Sequence, residues 1–154
     1  MPESDLVNTW EIHARIVEYV LDAVEPGAFD DKSAGKGRTV GAQFAHIHNV
    51  RLMWLKAAAP DLLEGVEKLD AATSPGIPAV REALRASAAA VAELVRRGVE
   101  SGRIKGFKPH PTAFVAYLVS HESFHQGDIG TRLTALGHPL DQKVQYGMWE
   151  WGAR

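Results

Sequence analysis

The stretch PTAFVAYLVSHESFHQGDIGTRLTALG, residues 111–137, decides the fold. Its apolar residues recur every three or four positions, which is the spacing of one face of an α-helix. Pro111 is suited to the first turn of a helix, and Gly137 is suited to end one. The sequence therefore predicts a long helix that starts after Pro111 and runs to about Leu136, with one face turned into a core.

The same periodicity predicts three further helices upstream of this stretch, over about 5–24, 39–59 and 78–101. Asp5 and Thr39 are candidate caps for the first two helices, and Gly102 is a candidate C-terminal cap for the third. Four long amphipathic helices with connections of medium length are typical of a helix bundle. We therefore expect an all-α fold, a four-helix bundle formed by a single domain over residues 1–154, with a short aromatic C-terminal extension.

Composition excludes several classes of function. The chain has 17 Lys and Arg against 19 Asp and Glu, a net charge of −2, which argues against a nucleic-acid partner. It has no cysteine, so disulfides, thiolate metal ligands and a cysteine nucleophile are excluded. No apolar run approaches the ~18 residues of a membrane span, and the N-terminal residues do not resemble a signal peptide. We therefore expect no membrane association and a cytoplasmic location.

The strongest local feature is the pentapeptide HESFH, residues 121–125. Two histidines at positions i and i+4 lie on one helix face, so both can reach one metal ion at about 2.0–2.1 Å. Glu122 directly after His121 also fits the metalloprotease pattern. That interpretation is disfavoured, because His138 stands at an unsuitable spacing for the third ligand. The plainer alternative is that both histidines are hydrogen-bonded core residues.

A third ligand could come from the second helix, which carries His46 and His48. Residues two apart on a helix point about 200° apart, so only one of the two can face a given site. Periodicity alone does not choose between them. Either one can instead be a buried histidine bonded to a neighbour.

Three segments resemble those of the DinB/YfiT-like four-helix-bundle proteins: TVGAQFAHI at 39–47, HESFHQGDI at 121–129 and MWEWG at 148–152. The resemblance covers nearly the whole chain in the order of its elements. It implies a divalent metal ion held by one histidine of the second helix and two of the fourth. The residues at the matching positions are His46, His121 and His125.

Three neutral imidazoles leave a divalent ion at least one open coordination position, as catalytic sites do. The resemblance implies a metal-dependent enzyme acting on a small-molecule substrate, either a hydrolase or a thiol-dependent S-transferase. The transferase would use a low-molecular-weight thiol such as bacillithiol or mycothiol, since the chain has no thiol of its own. Zinc, nickel and iron(II) all accept imidazole ligands. The alternative is a non-catalytic metal-binding or stress-related dimeric bundle protein.

Two acidic residues near the histidine pair, Glu122 and Asp128, are the candidate catalytic residues. With Gln43, they are also candidates to hydrogen-bond the second ring nitrogen of a ligating histidine, as carboxylates and carbonyls often do. For each of them the plainer alternative, a solvated or capping residue, is the more common one. The family commonly dimerises through its helices, so the resemblance also implies a homodimer.

Overall fold

The computed structural model describes residues 4–154 and is all-helical over that range. Its five α-helices are α1 (Asp5–Asp22), α2 (Val40–Ala58), α3 (Ile77–Ser101), α4 (Pro111–Ala135) and α5 (Gln142–Gly147). Short 3₁₀ turns lie at Pro26–Ala28, Pro60–Leu63, Ala71–Thr73 and Trp151–Ala153. The predicted all-α bundle is confirmed. No helix within residues 4–154 is both long enough and apolar enough to cross a membrane.

The helix ends follow ordinary capping chemistry, with one correction to the sequence analysis. The Thr39 hydroxyl accepts the Ala42 N–H at 3.1 Å, and Gly102 closes α3 with a φ of +76°. The prediction of Asp5 as the cap of α1 is wrong, because the Ser4 hydroxyl accepts the Val7 N–H at 3.2 Å and Asp5 is already helical. Serine and aspartate cap helices about equally well, so adjacent candidates could not be separated from sequence.

Helices α1 and α2 each pack against both α3 and α4. The apolar interior consists of two clusters stacked along the bundle. One includes Leu21 and Phe44, and the other includes Trp10 and Phe114, all of them fully buried. This packing brings α2 and α4 side by side, and these are the two helices that carry the predicted metal ligands.

Between the two clusters lies a polar layer to which each long helix contributes one buried residue: His13, Arg51, Ser87 and Glu122. Arg51 Nε and NH2 donate to the two Glu122 carboxylate oxygens at 2.8 and 2.6 Å. Arg51 NH1 donates to Ser87 Oγ at 3.2 Å, and His13 Nε2 lies 3.1 Å from Glu122 Oε1. Because successive helical residues are about 100° apart, a core-facing Glu122 turns His121 to the flank of α4.

The chain beyond α4 folds back onto the bundle and forms the predicted short C-terminal extension. Val144 and Met148 pack against the cluster that contains Leu21. At the terminus, the Arg154 guanidinium lies 3.8 Å from the centre of the Tyr19 ring. The indole of Trp149 remains 77% exposed.

Candidate metal centre

Three histidines from two helices converge on the flank of the bundle. His46 lies in the second turn of α2, and His121 and His125 lie one turn apart in α4. One ring nitrogen of each lies within 4.8 Å of the others. The His46 ring centre is 4.6 Å from that of His125 and 5.5 Å from that of His121. The structure thus brings together the three residues that the family resemblance indicated.

The structure also resolves the choice between His46 and His48. His48 is completely buried on another side of α2, where its Nε2 lies 2.7 Å from the carbonyl oxygen of Glu67. Its ring therefore ties the segment after α2 to the helix. The plainer interpretation, a buried histidine bonded to a neighbour, holds for His48, and only His46 faces the pair on α4.

A side-chain relay fixes the orientation of the His125 ring. The Gln43 amide nitrogen donates to the Asp128 carboxylate, and the Gln43 carbonyl oxygen lies 2.9 Å from His125 Nδ1. Because a carboxylate can only accept, the amide can face it only with its NH₂ group. The carbonyl then accepts the proton of His125 Nδ1, which leaves the lone pair of a neutral ring on Nε2. That is the nitrogen that points to the other histidines.

The arrangement of the ring nitrogens fits a metal ion. His125 Nε2 and His121 Nε2 lie 3.2 Å apart. Two imidazole ligands of a tetrahedral ion at 2.0–2.1 Å would lie about 3.3 Å apart. Within residues 4–154, the other nitrogen of His121, Nδ1, is buried without a hydrogen-bond partner, and the same is true of His48 Nδ1. The spacing of the two Nε2 atoms, rather than an unpaired Nδ1, is therefore the observation that fits a metal ion.

The three rings are neutral near pH 7. Burial lowers the pKa of His46 to about 4, with a further contribution from the Arg38 guanidinium. Burial also lowers the pKa of His121, and burial together with the neighbouring His121 lowers that of His125. Neutral imidazoles carry the lone pairs that a metal ion needs, so binding requires no prior deprotonation at this pH.

One side of the centre is open. His46 and His121 are half-buried, and the ring of Tyr117 stacks on that of His121 with centres 6.3 Å apart. Phe124 approaches His125 edge-on at 5.4 Å and is itself 74% exposed. A small molecule can therefore reach the histidines from solvent, past aromatic side chains.

The two candidate catalytic carboxylates lie in different surroundings. Burial alone would raise the pKa of Glu122, but the adjacent Arg51 guanidinium and His13 outweigh it and lower the pKa to about 2. Glu122 is therefore a core carboxylate held on the side of α4 away from the flank. Asp128 is exposed and touches the centre only through Gln43. A catalytic role for either residue stays a prediction.

Sequence reasoning missed one residue of the surroundings, Arg51. It is 1% exposed and lies on the same helix as His46. The sequence does contain a signal for it, because Arg51 is the one basic residue between His48 and Lys56, in a stretch that is otherwise mostly apolar. Its partner Glu122 is a candidate in the sequence analysis because it follows His121 directly, and not because the sequence indicates its burial.

The fold and the centre together define a class: helical-bundle proteins in which histidines from two helices form a group able to hold a metal ion. The family model of the DinB family matches residues 1–144. The chain belongs to the DinB family. No curated protein and no solved structure matches it significantly.

Proposed function

We propose that this chain is a metal-dependent enzyme that transfers a low-molecular-weight thiol to an electrophilic small molecule. The observation that carries the proposal is the convergence of His46, His121 and His125 within 4.8 Å on an open flank. A divalent ion bound there supplies Lewis acidity and lowers the pKa of water or a thiol that reaches it. The three histidines hold the ion, and Gln43 holds His125 in the required tautomer.

The protein surroundings favour a thiol over water as the nucleophile. Attack by water is assisted by a base that takes its proton, and catalytic carboxylates commonly serve in that role. The nearest buried carboxylate, Glu122, is held by Arg51 and His13. A free thiol ionises with a pKa of about 8.5, far below that of water, and depends less on such a base. The thiol must come from a small molecule because the chain has no cysteine.

Hydrolysis is the second candidate, and two observations favour it. A set of three histidines is the donor set of zinc sites that produce hydroxide near neutral pH. Asp128 is an exposed carboxylate hydrogen-bonded to Gln43, which contacts His125, so a group able to act as a general base lies near the centre.

The test combines metal analysis with two activity assays on untagged protein. We expect about one divalent ion per chain after reconstitution. His46→Ala should lose the ion, and His138→Ala, which changes an exposed histidine, should keep it. The transferase proposal predicts thiol-dependent conjugation of 1-chloro-2,4-dinitrobenzene, and the hydrolase candidate predicts thiol-independent cleavage of 4-nitrophenyl acetate.

Two results would contradict the proposal. Protein that stays metal-free after reconstitution would rule out a metal-dependent enzyme. One bound ion that raises thermal stability without turnover in either assay would instead support the non-catalytic alternative.

A further inference from the structure

A cavity of about 490 Å³ lies between α2 and the segment that follows it. Its apolar lining includes Val50 and Met53 from α2, and Leu63 and Val66 from the segment. A volume of this size is within the range of small-molecule sites. Nothing in the proposed chemistry of the metal centre accounts for this cavity.

The outer wall of the cavity is fastened to α2 by polar contacts. The Asn49 side chain donates to the Leu69 carbonyl at 2.8 Å and accepts the Leu69 N–H at 2.9 Å. His48 Nε2 lies 2.7 Å from the Glu67 carbonyl oxygen. These contacts hold the segment across the helix, so the cavity is preformed rather than assembled on binding.

Two lysines line the cavity, Lys56 and Lys68. Both side chains are exposed, and within residues 4–154 neither forms an ion pair. No carboxylate lines the cavity in this part of the chain. Asp61, on the same segment, is paired with Arg97. The cavity therefore combines an apolar surface with positive charge.

The cavity adjoins the three-histidine centre along α2. Val50 lies one turn beyond His46 on the same face, a spacing of about 5–6 Å between side-chain origins. Met53 continues that face and is 54% exposed. Lys56 lies ten residues beyond His46, about 15 Å along the helix. A molecule of that length would span both features.

We propose that this cavity binds the substrate of the metal centre, a small molecule with an apolar body and an anionic end. The anionic group lies between Lys56 and Lys68, the apolar body lies on Val50 and Met53, and the reactive end reaches the histidines. The inference rests on the proposed function for its reactive end, whereas the cavity itself is tested without metal.

The first experiment measures octanoate binding to the metal-free full chain by calorimetry, with 1-octanol as the uncharged probe. We expect saturable octanoate binding that the double variant Lys56→Glu, Lys68→Glu weakens about tenfold, the sum of two exposed ion pairs. Binding of 1-octanol should be unchanged in that variant. Met53→Asp should weaken both probes. The double variant Lys105→Glu, Lys108→Glu, an equal charge change at two exposed sites elsewhere, should weaken neither.

The second experiment places the bound probe relative to the histidines. With cobalt(II) loaded, the NMR signals of bound octanoate should broaden most at the methyl end and least beside the carboxylate. The opposite gradient would show that the carboxylate itself approaches the ion. No broadening with cobalt bound would show that the cavity does not lead to the metal centre. Either of these two results overturns the proposal, whereas absence of cobalt binding would overturn the proposed function.

Failure of this inference is distinguishable from failure of the proposed function. Absence of saturable octanoate binding, or equal weakening by the Lys105→Glu, Lys108→Glu control, would overturn the substrate cavity while leaving metal binding and turnover intact. A dimer that Met53→Asp dissociates, in a protein that binds no octanoate, would assign this surface to contact between two copies of the chain.

Discussion

At the scale of single residues, Asp128 can act on the metal centre without touching it. Its carboxylate fixes which way the Gln43 amide faces, and the amide fixes which nitrogen of His125 carries the proton. Partners of this kind orient metal ligands and tune their basicity, and their loss typically weakens metal binding about 10- to 100-fold. The relay therefore explains why a polar residue, Gln43, is only 2% exposed in an otherwise apolar turn of α2.

Replacement of Gln43 by leucine should weaken metal binding by about 10- to 100-fold with little loss of stability, because His125 loses its acceptor but keeps its packing. Titration of the metal-free protein with zinc or cobalt(II) measures this. Gln126→Leu changes another buried glutamine of the bundle, on α4, and should leave the affinity unchanged. Equal effects of the two changes would mean that Gln43 contributes only to packing.

A second change tests the direction of the relay. Asp128→Asn replaces an acceptor by a group that can also donate, so the Gln43 amide is free to face either way. We expect weaker metal binding than in the unaltered chain, by less than in the Gln43→Leu variant. Affinity unchanged in Asp128→Asn would show that the amide orientation does not depend on this carboxylate.

At the scale of helices, two glycines show that helix propensity and packing can have opposite effects on the free energy of unfolding. A Cβ on Gly41, in the first turn of α2, would lie 2.7 Å from the Phe29 ring. A Cβ on Gly127 in α4 would meet nothing within 4 Å among residues 4–154. Alanine is favoured over glycine in a helix by about 1 kcal/mol. At Gly41 the clash with a buried, rigid ring outweighs that gain.

Accordingly, Gly41→Ala should lower the free energy of unfolding by about 1–3 kcal/mol, the usual effect of overpacking. Gly127→Ala should raise it by up to about 1 kcal/mol. Urea denaturation of both variants measures the difference. A stabilising Gly41→Ala would show that Phe29 moves aside at no cost.

The polar layer links the same helices through Arg51 and Glu122. Removing one partner of a buried ion pair leaves the other charge uncompensated, so Arg51→Met should destabilise the chain by about 3–5 kcal/mol. The double variant Arg51→Met, Glu122→Met should recover much of that loss, because no buried charge remains. Denaturation of both variants tests this. The Arg51 guanidinium also lies over the Trp10 ring, 5.0 Å from its centre. A double variant as unstable as the single one would mean that the lost stability comes from this packing and not from an unpaired charge.

Sequence periodicity predicted the four long helices well because each has an unbroken apolar face and a clear end at proline or glycine. It placed α1 to α4 within about two residues of the observed ends. It did not reveal α5, a six-residue helix too short to show a period. The one-turn spacing of His121 and His125 was enough to predict that both lie on one face of α4.

Other features depend on contacts that no spacing encodes. The family resemblance indicated His46, but the periodicity left His46 and His48 open. The physical reason for the choice is the rotation of α2, which the Arg51–Glu122 pair and the bond from His48 to Glu67 help to set. The burial of Glu122 similarly required a partner on another helix. Such pairings join residues about 20 to 70 positions apart, so they become visible only in the folded chain.

At the scale of the whole molecule, a charged layer separates two apolar clusters, with all four long helices joined at its level. Such layers are retained in some proteins because they fix register at a cost in stability. Here the layer would fix α2 against α4, and with them the spacing of the three histidines.

The homodimer implied by the family resemblance stays a prediction, and light scattering would test it.

This layer also predicts how stability depends on pH. The pKa of Glu122 is lowered from 4.5 to about 2 in the folded chain, so the unfolded state binds more protons between these values. The contribution to stability is present in full above the unfolded value of 4.5 and is lost as pH falls through the folded value of about 2. This contribution to the free energy of unfolding is on the order of 3 kcal/mol, since one pKa unit corresponds to about 1.4 kcal/mol.

Other carboxylates also titrate in this range, so the measurement is a difference between two proteins. Glu122→Gln keeps the shape of the side chain but removes the titration, and chemical denaturation in EDTA removes any contribution from bound metal. The difference in unfolding free energy between the unaltered chain and Glu122→Gln should be constant near neutral pH and should shrink steadily from about pH 5 to about pH 2. A difference that stays constant over that range would mean that the Glu122 pKa is not lowered, and the charged layer would then not be what holds α2 and α4 in register.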